Sequence, residues 1–444
     1  MIEILRHRNF RCLFLAQVVA LVGTGLTTLA LALLAYDIAG AQAGAVLGTA
    51  LAIKMTVYVM LAPLAGALVP SHLRKRVLIG LDLVRAAAAM MLPFVTEIWQ
   101  VYALIALLQS ASACFTPLFQ SLIPQILPEE RDYTLALSLS RLAYDLESLL
   151  SPALAAALLT LISFHGLFAG TSVGFFVSAL FVLSTTFPVV AAVRSADGPY
   201  ARAFRGMRIY LRTPRLRGLL ALNLCAAAGG AMVFVNTVVI VRSVLHGGDR
   251  EVAWALAAFG AGSMIMALLL PKLLDRLPER RVMLTSALIM ASSLLAATTL
   301  WQGNHGRIGW SALLPLWSVL GMAYAGLVTP GGRLLRRSAQ SDDLPFLFAA
   351  QFSLSHVCWL LAYPLAGWVG ARFGLGVALL SLSGVAVVGL LIAWRTWPRH
   401  DPDAVEHAHP ELPDEHPHLV EHPFSEKKHV HSYRIDDLHE RWPR

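Results

Sequence analysis

Several ionisable residues lie inside long apolar stretches, where a charge is costly enough to need a reason. Arg141, Asp145 and Glu147 share one such stretch. Arg141 and Asp145 are four apart and can pair on a helix, whereas Glu147 falls on a different face from Asp145. An unpaired carboxylate at that depth could carry a coupling proton or meet a divalent cation. The plainer reading is a buried network that ties one helix to its neighbours. His356 takes nearly the corresponding place in a later stretch, with Gln351, Cys358 and Tyr363 close by. Imidazole titrates near neutral pH and suits nickel, cobalt and zinc. A lone histidine on an apolar helix can equally be hydrogen-bonded structure. His356 with Asp145 or Glu147, and Arg141 beside them, is the expected transport and coupling centre. Lys54 is also deep in an apolar run, either as a functional amine or as one that snorkels to the surface. Asp82 and Arg85, three apart, read as a pair along one helix.

A second concentration of chemistry closes the chain. Of 15 histidines, nine fall within 397–444. His407/His409, His416/His418 and His429/His431 form HxH pairs, and His422 stands between them among Glu406, Glu411, Asp414, Glu415 and Glu421. In an extended chain residues i and i+2 face the same way, so such a pair can reach one ion. Imidazoles and carboxylates without thiolate suit Ni²⁺, Co²⁺, Zn²⁺ or Cu²⁺, and ligand type does not choose among them. No bound cofactor is called for; a transported or tail-bound divalent metal is the one inorganic partner expected. The alternative is a solubilising or regulatory tail. Prolines and charges predict a mostly disordered segment, ending in YRIDDLHERWPR, which could form a short docking helix.

The elements that must position these groups are set by composition. The chain of 444 residues is 57% hydrophobic and 14% charged. Runs such as 13–36, 101–123, 167–189 and 377–394 match the roughly 20 residues needed to cross a bilayer. Twelve spans are expected, at about 12–38, 43–69, 77–96, 98–123, 134–163, 166–189, 217–245, 250–274, 282–302, 309–332, 346–371 and 374–396. The first run is too long for a cleavable leader, and another follows at once. The four cysteines are scattered, without a CxxC pair, and read as small buried hydrophobes.

An even count puts both termini on one side. Basic residues crowd one set of loops, including Arg6, Arg8, Arg11, Arg74, Lys75, Arg76, Arg276, Arg280 and Arg281. The central loop RSADGPYARAFRGMRIYLRTPRLR belongs to the same set. The positive-inside bias makes these loops, both termini and the tail cytoplasmic. It also accounts for the net charge of +8 by lipid and orientation, not by nucleic acid.

The chain repeats itself. GALVPSHLRKRVL from Gly66 and PKLLDRLPERRVML from Pro271 are 205 residues apart and share a basic cluster followed by Val. A second pair of segments, bracketed by Pro117 and Pro152 and by Pro330 and Pro364, repeats span end, charged loop and next span. The expected architecture is an all-α membrane protein of two six-helix halves. Its parts are 1–189, a basic linker at 190–216 that is partly an amphipathic surface helix, 217–396, and the tail at 397–444.

Twelve spans in two halves, with the GxLxx…RKR loop after the second, resemble the major facilitator superfamily. The loop residues matching its conformational motif are Gly66, Arg74, Lys75 and Arg76, with Asp275, Arg276, Arg280 and Arg281 in the second copy. Pro70–Ser71 stand where the motif has Asp–Arg, and Leu73 replaces a Gly. RHRNFRCLFLAQVVALVGTGL and SRLAYDLESLLSPALA are similar to the exporter branch that handles macrolides and enterobactin. FAAQFSLSHVCWLLAYPLAGWVG and the tail resemble its nickel-resistance exporters. The resemblance implies a monomeric multi-pass protein of the bacterial plasma membrane. In that fold the first spans of the two halves face each other. Asp37 and Arg242, equivalent under the 205-residue offset, are therefore an expected outer gate pair, with Lys54 nearby.

No Walker loop, HExxH or GxSxG is present, so an enzyme is not expected and protons are the expected energy source. The leading expectation is a proton-coupled exporter of Ni²⁺ or a similar cation. The alternatives are an exporter of an organic compound (a drug, siderophore or metal chelate) and a membrane metal sensor that transports nothing.

Overall fold

The computed structural model describes residues 2–69, 73–120, 122–127, 129, 132, 135–136, 139–140, 143, 147, 151, 154–155, 157–186, 199–339, 343–401, 404–408, 428–435, 439 and 442. Eleven spanning helices are present among them. In the first half they are Arg8–Ala39, Ala43–Leu68, Arg74–Met91, Ile98–Gln120 and Phe164–Leu183. In the second half they are Pro214–Val239, Asp249–Arg276, Glu279–Gly303, Trp310–Val328, Leu344–Pro364 and Leu375–Thr396. Within the expected fifth span at 134–163, the described residues up to 158 are helical. The chain is thus an all-α bundle of the expected twelve-helix type. In hydrocarbon a helix satisfies its own backbone, which is why apolar runs of this length fold in this way.

Small residues let these helices approach. Thr171 Oγ1 of the sixth span donates to Gly23 O of the first at 2.8 Å. A Cβ at Gly23 would stand 3.2 Å from Thr171 O, and one at Gly174 would stand 3.2 Å from Val19 O. In the second half the eighth and tenth spans close the same way, Gly262 on Ser318 O and Gly321 on Phe259 O. Packing of this kind replaces the hydrophobic drive that lipid removes. Trp99, Trp254, Trp368 and Trp394 are exposed on the outside of the bundle, where lipid would meet them.

The halves meet mainly through the second and eleventh spans, which run antiparallel. Near the side away from the termini, Gly44 and Gly48 lie against Gly367 and Tyr363 O. Further in, the Tyr58 ring is 5.8 Å from Phe352. Two π-helical turns, Ile240–Val244 and Leu365–Val369, end the seventh and eleventh spans on that far side. Asn236 Nδ2 ties them by donating to Ala366 O at 3.0 Å.

The expected amphipathic linker is a helix, Pro199–Arg212, packed along the eleventh span. Arg205 pairs with Asp343 at 2.6 Å, and Tyr210 donates to Gln351. Burial beside the span pushes the Tyr210 hydroxyl well above the ordinary phenol range.

The described part of the tail departs from the expected disorder. Strands β1 (Ala404–Ala408) and β2 (Lys428–Ser432) pair antiparallel. Beyond β2, Tyr433, Ile435 and His439 are buried against the second half. YRIDDLHERWPR therefore docks as expected, although its described residues are not helical.

Candidate functional site

The second span carries Lys54 and, one turn on, Tyr58. Residues four apart share a helix face, so both meet the same neighbours. Lys54 lies within electrostatic reach of Glu147 on the fifth span and of His356 on the eleventh. Tyr58 stacks on the His356 ring, with centroids 5.4 Å apart and planes 5° off parallel. Phe352 packs on the same ring at 4.0 Å. His356 Nδ1 is 2.6 Å from Phe352 O, so Nδ1 carries the proton and Nε2 presents a lone pair. One amine thus lies within reach of one carboxylate and one imidazole, from three spans and both halves.

Glu147 is held against the first span at Gly25. A Cβ there would stand 2.9 Å from Glu147 Oε1 and would also collide with Ser151. Beside Lys54 lies a small cavity of ≈ 10 Å³, room for about one water, lined by Thr24, Thr27, Thr28 and Gln109. Thr24 and Thr28 donate to carbonyls one turn back, at 2.9 and 3.1 Å, and so offer the pocket oxygen lone pairs. Gln109 Oε1 is buried without a hydrogen-bond partner among the described residues. A buried amide oxygen left so is costly, and a donor entering the pocket would satisfy it.

The second half contributes an aromatic wall. Trp359 and Tyr363 continue the His356 face of the eleventh span, their rings 5.1 Å apart. Phe234 lies 6.1 Å from Trp359 and 5.5 Å from Phe259, and Tyr324 lies 6.2 Å from Trp359. Sequence reading noted Tyr363 but missed the wall. Its signal was the spacing His356, Trp359, Tyr363, which places three rings on one stripe.

Of the expected centre, His356 and Glu147 are among the described residues. Lys54 is within electrostatic reach of Glu147 and, separately, of His356. Lys54 is half-buried. Arg141 and Asp145 lie outside the described residues. The expected gate is built differently: Arg242 pairs with Asp249, seven residues on, and not with Asp37. Asp37 is exposed. Its neighbour Tyr36 makes the contact instead, its hydroxyl 3.0 Å from Ser243 Oγ and its ring 5.6 Å below Arg242. Trp368 Nε1 donates to Thr49 Oγ1 at 2.8 Å on the same side. No ion pair joins the halves there among the described residues: Asp249 takes the arginine, whose guanidinium meets the first half only over the Tyr36 ring.

The loop motif is also divided. Lys75 Nζ donates to Thr185 O at 2.6 Å, joining the third span to the end of the sixth. Arg74 is half-buried and Arg76 exposed, and Gly66 lies near the end of the second span. In the second copy Asp275, Arg276 and Arg281 are exposed, and Arg280 donates to Trp397 O at 3.0 Å. The hub is Glu279, which the motif reading passed over: it accepts Arg333 and Arg337, each at 3.0 Å.

In the tail, His407, His429 and His431 lie on the two strands. His409, His416, His418 and His422 lie outside the described residues. Among the described residues no three His, Cys, Asp or Glu side chains converge as a metal site.

The sequence model for the Major Facilitator Superfamily matches residues 13–248 and 219–434. The chain belongs to the Major Facilitator Superfamily. Macrolide efflux protein A of Streptococcus pyogenes is 23% identical over 399 residues, 86% of this chain and 94% of that protein. A chloramphenicol efflux pump of Mycobacterium tuberculosis is 26% identical over 195 residues, 41% of this chain and 44% of that one. Among solved structures, a nucleoside transporter superposes with TM-score 0.68 at 14% identity, covering 87% of this chain and all of that one. An inward-facing bacterial homologue of the lysosomal transporter Spinster superposes at 0.64 and 11% identity, covering 89% and 99%. These likenesses make the chain a multi-pass membrane transporter and not an enzyme, and the two sequence relatives named are efflux proteins.

Proposed function

We propose that this facilitator is a proton-coupled exporter of an organic compound in a bacterial plasma membrane, with both termini in the cytoplasm. The observation that carries this reading is the Lys54–Glu147–His356 cluster between an acceptor-lined pocket and an aromatic wall. An ammonium group beside the only described carboxylate of the cluster repels a free divalent cation. It leaves His356 Nε2 as a single ligand, far short of the donor set that nickel takes. The same cluster suits a molecule with an apolar body and a polar end. The rings offer stacking area, and Gln109 Oε1 and the threonine oxygens accept from its donors. The efflux relatives support export of such compounds over metal.

Coupling follows from the shared counter-ion. With Glu147 ionised, Lys54 is neutralised by it and the charge pair is internally satisfied. A proton arriving on Glu147 removes that partner and frees the ammonium. His356, stacked on Tyr58 of the second span and carried by the eleventh, sits on the seam along which the halves must slide. Protonation at Glu147 is therefore read at the half–half contact. The basic loops favour cytoplasmic termini, which makes the structure closed toward the outside.

The test is susceptibility and efflux in a bacterium lacking its own pumps, with macrolides, chloramphenicol, ethidium, nickel and cobalt side by side. The expected result is tolerance to at least one organic compound, collapsed by an uncoupler and reduced about tenfold or more in Glu147→Gln. Tolerance to nickel or cobalt alone would overturn the organic reading.

A further inference from the structure

The small cavity beside Lys54 is built from three spans of the first half. Thr24 and Thr28 come from the first, Lys54 from the second and Gln109 from the fourth, with Leu31, Leu51 and Ile105 closing the rest of the wall. Its ≈ 10 Å³ is the room one water needs. An apolar cavity of that size stays dry, whereas a polar one takes a water that makes about three hydrogen bonds. The partners for such a water are present. Gln109 is 6% exposed, and its Oε1 is buried without a hydrogen-bond partner among the described residues. The Thr24 and Thr28 hydroxyls direct their protons to Ala20 O and Thr24 O, which leaves their oxygens as acceptors. Lys54 brings an ammonium, which only donates.

One water joins these groups with donors and acceptors matched. It accepts from the ammonium and donates to Gln109 Oε1 and to a threonine oxygen. It is also what a substrate donor entering the cavity displaces. The other acceptors near Lys54 are the Glu147 carboxylate on the fifth span and His356 on the eleventh. Tyr58, one turn along the second span, is stacked on the His356 ring. The first and fourth spans bring only neutral groups to the cavity wall. His356 belongs to the other half and leaves Lys54 when the halves part, so it cannot hold the ammonium through a cycle. The cavity lies wholly in the first half and moves with Lys54. While Glu147 is ionised the cavity is a spare partner. With Glu147 protonated it is the one that stays, and an ammonium without any partner at this depth is costly.

We propose that this cavity is a second seat for the Lys54 ammonium, reached through one bound water and taken up when Glu147 carries the proton, with Gln109 as its positioning residue. This role rests on Glu147 being the proton carrier of the export reading, and it gives the freed ammonium a destination. The ammonium turns from a charged to a neutral partner inside one half, and no charge has to cross the seam between the halves.

Glu147→Gln mimics the protonated carboxyl, so it loads the seat without substrate or gradient. Thermal unfolding of the purified full chain in detergent reads the outcome. Gln109→Leu removes the acceptor, and its drop in melting temperature should be about twofold or more larger in Glu147→Gln than in the otherwise unaltered chain, since partners of one ammonium are not additive. Lys54→Met added to the double variant should recover most of that loss, because no ammonium is then stranded. Where the double variant is too unstable to purify, the yield of folded protein with and without Lys54→Met gives the same reading. A dry cavity would show the opposite sign, with Leu stabilising both backgrounds alike by removing an orphaned oxygen. That result, equal losses in the two backgrounds, or no recovery with Lys54→Met would overturn the seat. Melting needs no transported compound, so the seat can fail with organic export intact, and organic export can fail in the susceptibility test with the seat intact.

Discussion

At the scale of single residues, the transport cluster works because its charges depend on each other. Lys54→Met should leave Glu147 without a counter-ion and lower energised efflux about tenfold or more. Glu147→Gln should abolish the response to a pH gradient while retaining exchange of substrate down its own gradient. Counterflow in proteoliposomes separates the two, and loss of both in Glu147→Gln would make the carboxylate a substrate ligand and not a proton carrier. A second buried pair is structural. Asp82 is fully buried, paired with Arg85 and bonded to Ser178 at 2.8 Å, and the Arg85 guanidinium lies over Phe115 and Phe175 at 4.0 and 4.5 Å. Asp82→Ala strands that guanidinium and should destabilise the protein by about 3–5 kcal/mol. Asp82→Ala with Arg85→Met should recover part of the loss in thermal unfolding. Spacing alone showed the Asp82–Arg85 pair because both residues sit on one helix. The approach of Lys54 to Glu147 was not legible, because sequence spacing does not give the rotation of one span against another. Asp37–Arg242 failed for a local reason: Asp249 lies just across the next turn, and sequence offset gives no weight to it.

At the scale of elements, glycines decide where helices can go. Gly25 is the site at which Glu147 and Ser151 approach the first span. Gly25→Ala should push the fifth span back and reduce efflux severalfold with little change in the amount of folded protein. Fluorescence-detected size exclusion beside an efflux assay would show this, and unaltered efflux would mean that Glu147 is free to move. The spans themselves were legible, because runs of about 20 apolar residues have few alternatives. Their partners were not, since Gly23, Gly174, Gly262 and Gly321 look like any other small residues until a facing backbone is known. The tail was read as mostly disordered because of its prolines and charges, with its last segment able to dock as a helix. Tyr433, Ile435 and Trp442 are few and widely spaced, and their docking depends on Arg215, more than 200 residues earlier.

At the scale of the whole molecule, the two halves form one closed side and leave the transport cluster behind it. Closure rests on Tyr36–Ser243, Thr49–Trp368 and the contacts of Gly44 and Gly48 with the eleventh span. None of these is an ion pair, so the far side can part without stranding a charge in hydrocarbon. The ion pairs near the seam are internal to one half, as Arg242–Asp249 is, and travel with it. A transporter that alternates access must break the neutral contacts once per cycle. Tyr36→Cys and Ser243→Cys, introduced together with Cys12→Ser and Cys114→Ser, place two thiols across the closed side. A short reducible bis-thiol reagent should then lower efflux about tenfold or more, and a reductant should restore it. Each protein carrying only one of the two added cysteines should be insensitive to the reagent. Binding of substrate from the side of the termini should survive the cross-link, because the cross-link joins only the opposite side. Undiminished efflux in the cross-linked protein would show that the first and seventh spans stay joined throughout the cycle. The moving seam would then have to be sought between the second and eleventh spans, where Tyr58 stacks on His356.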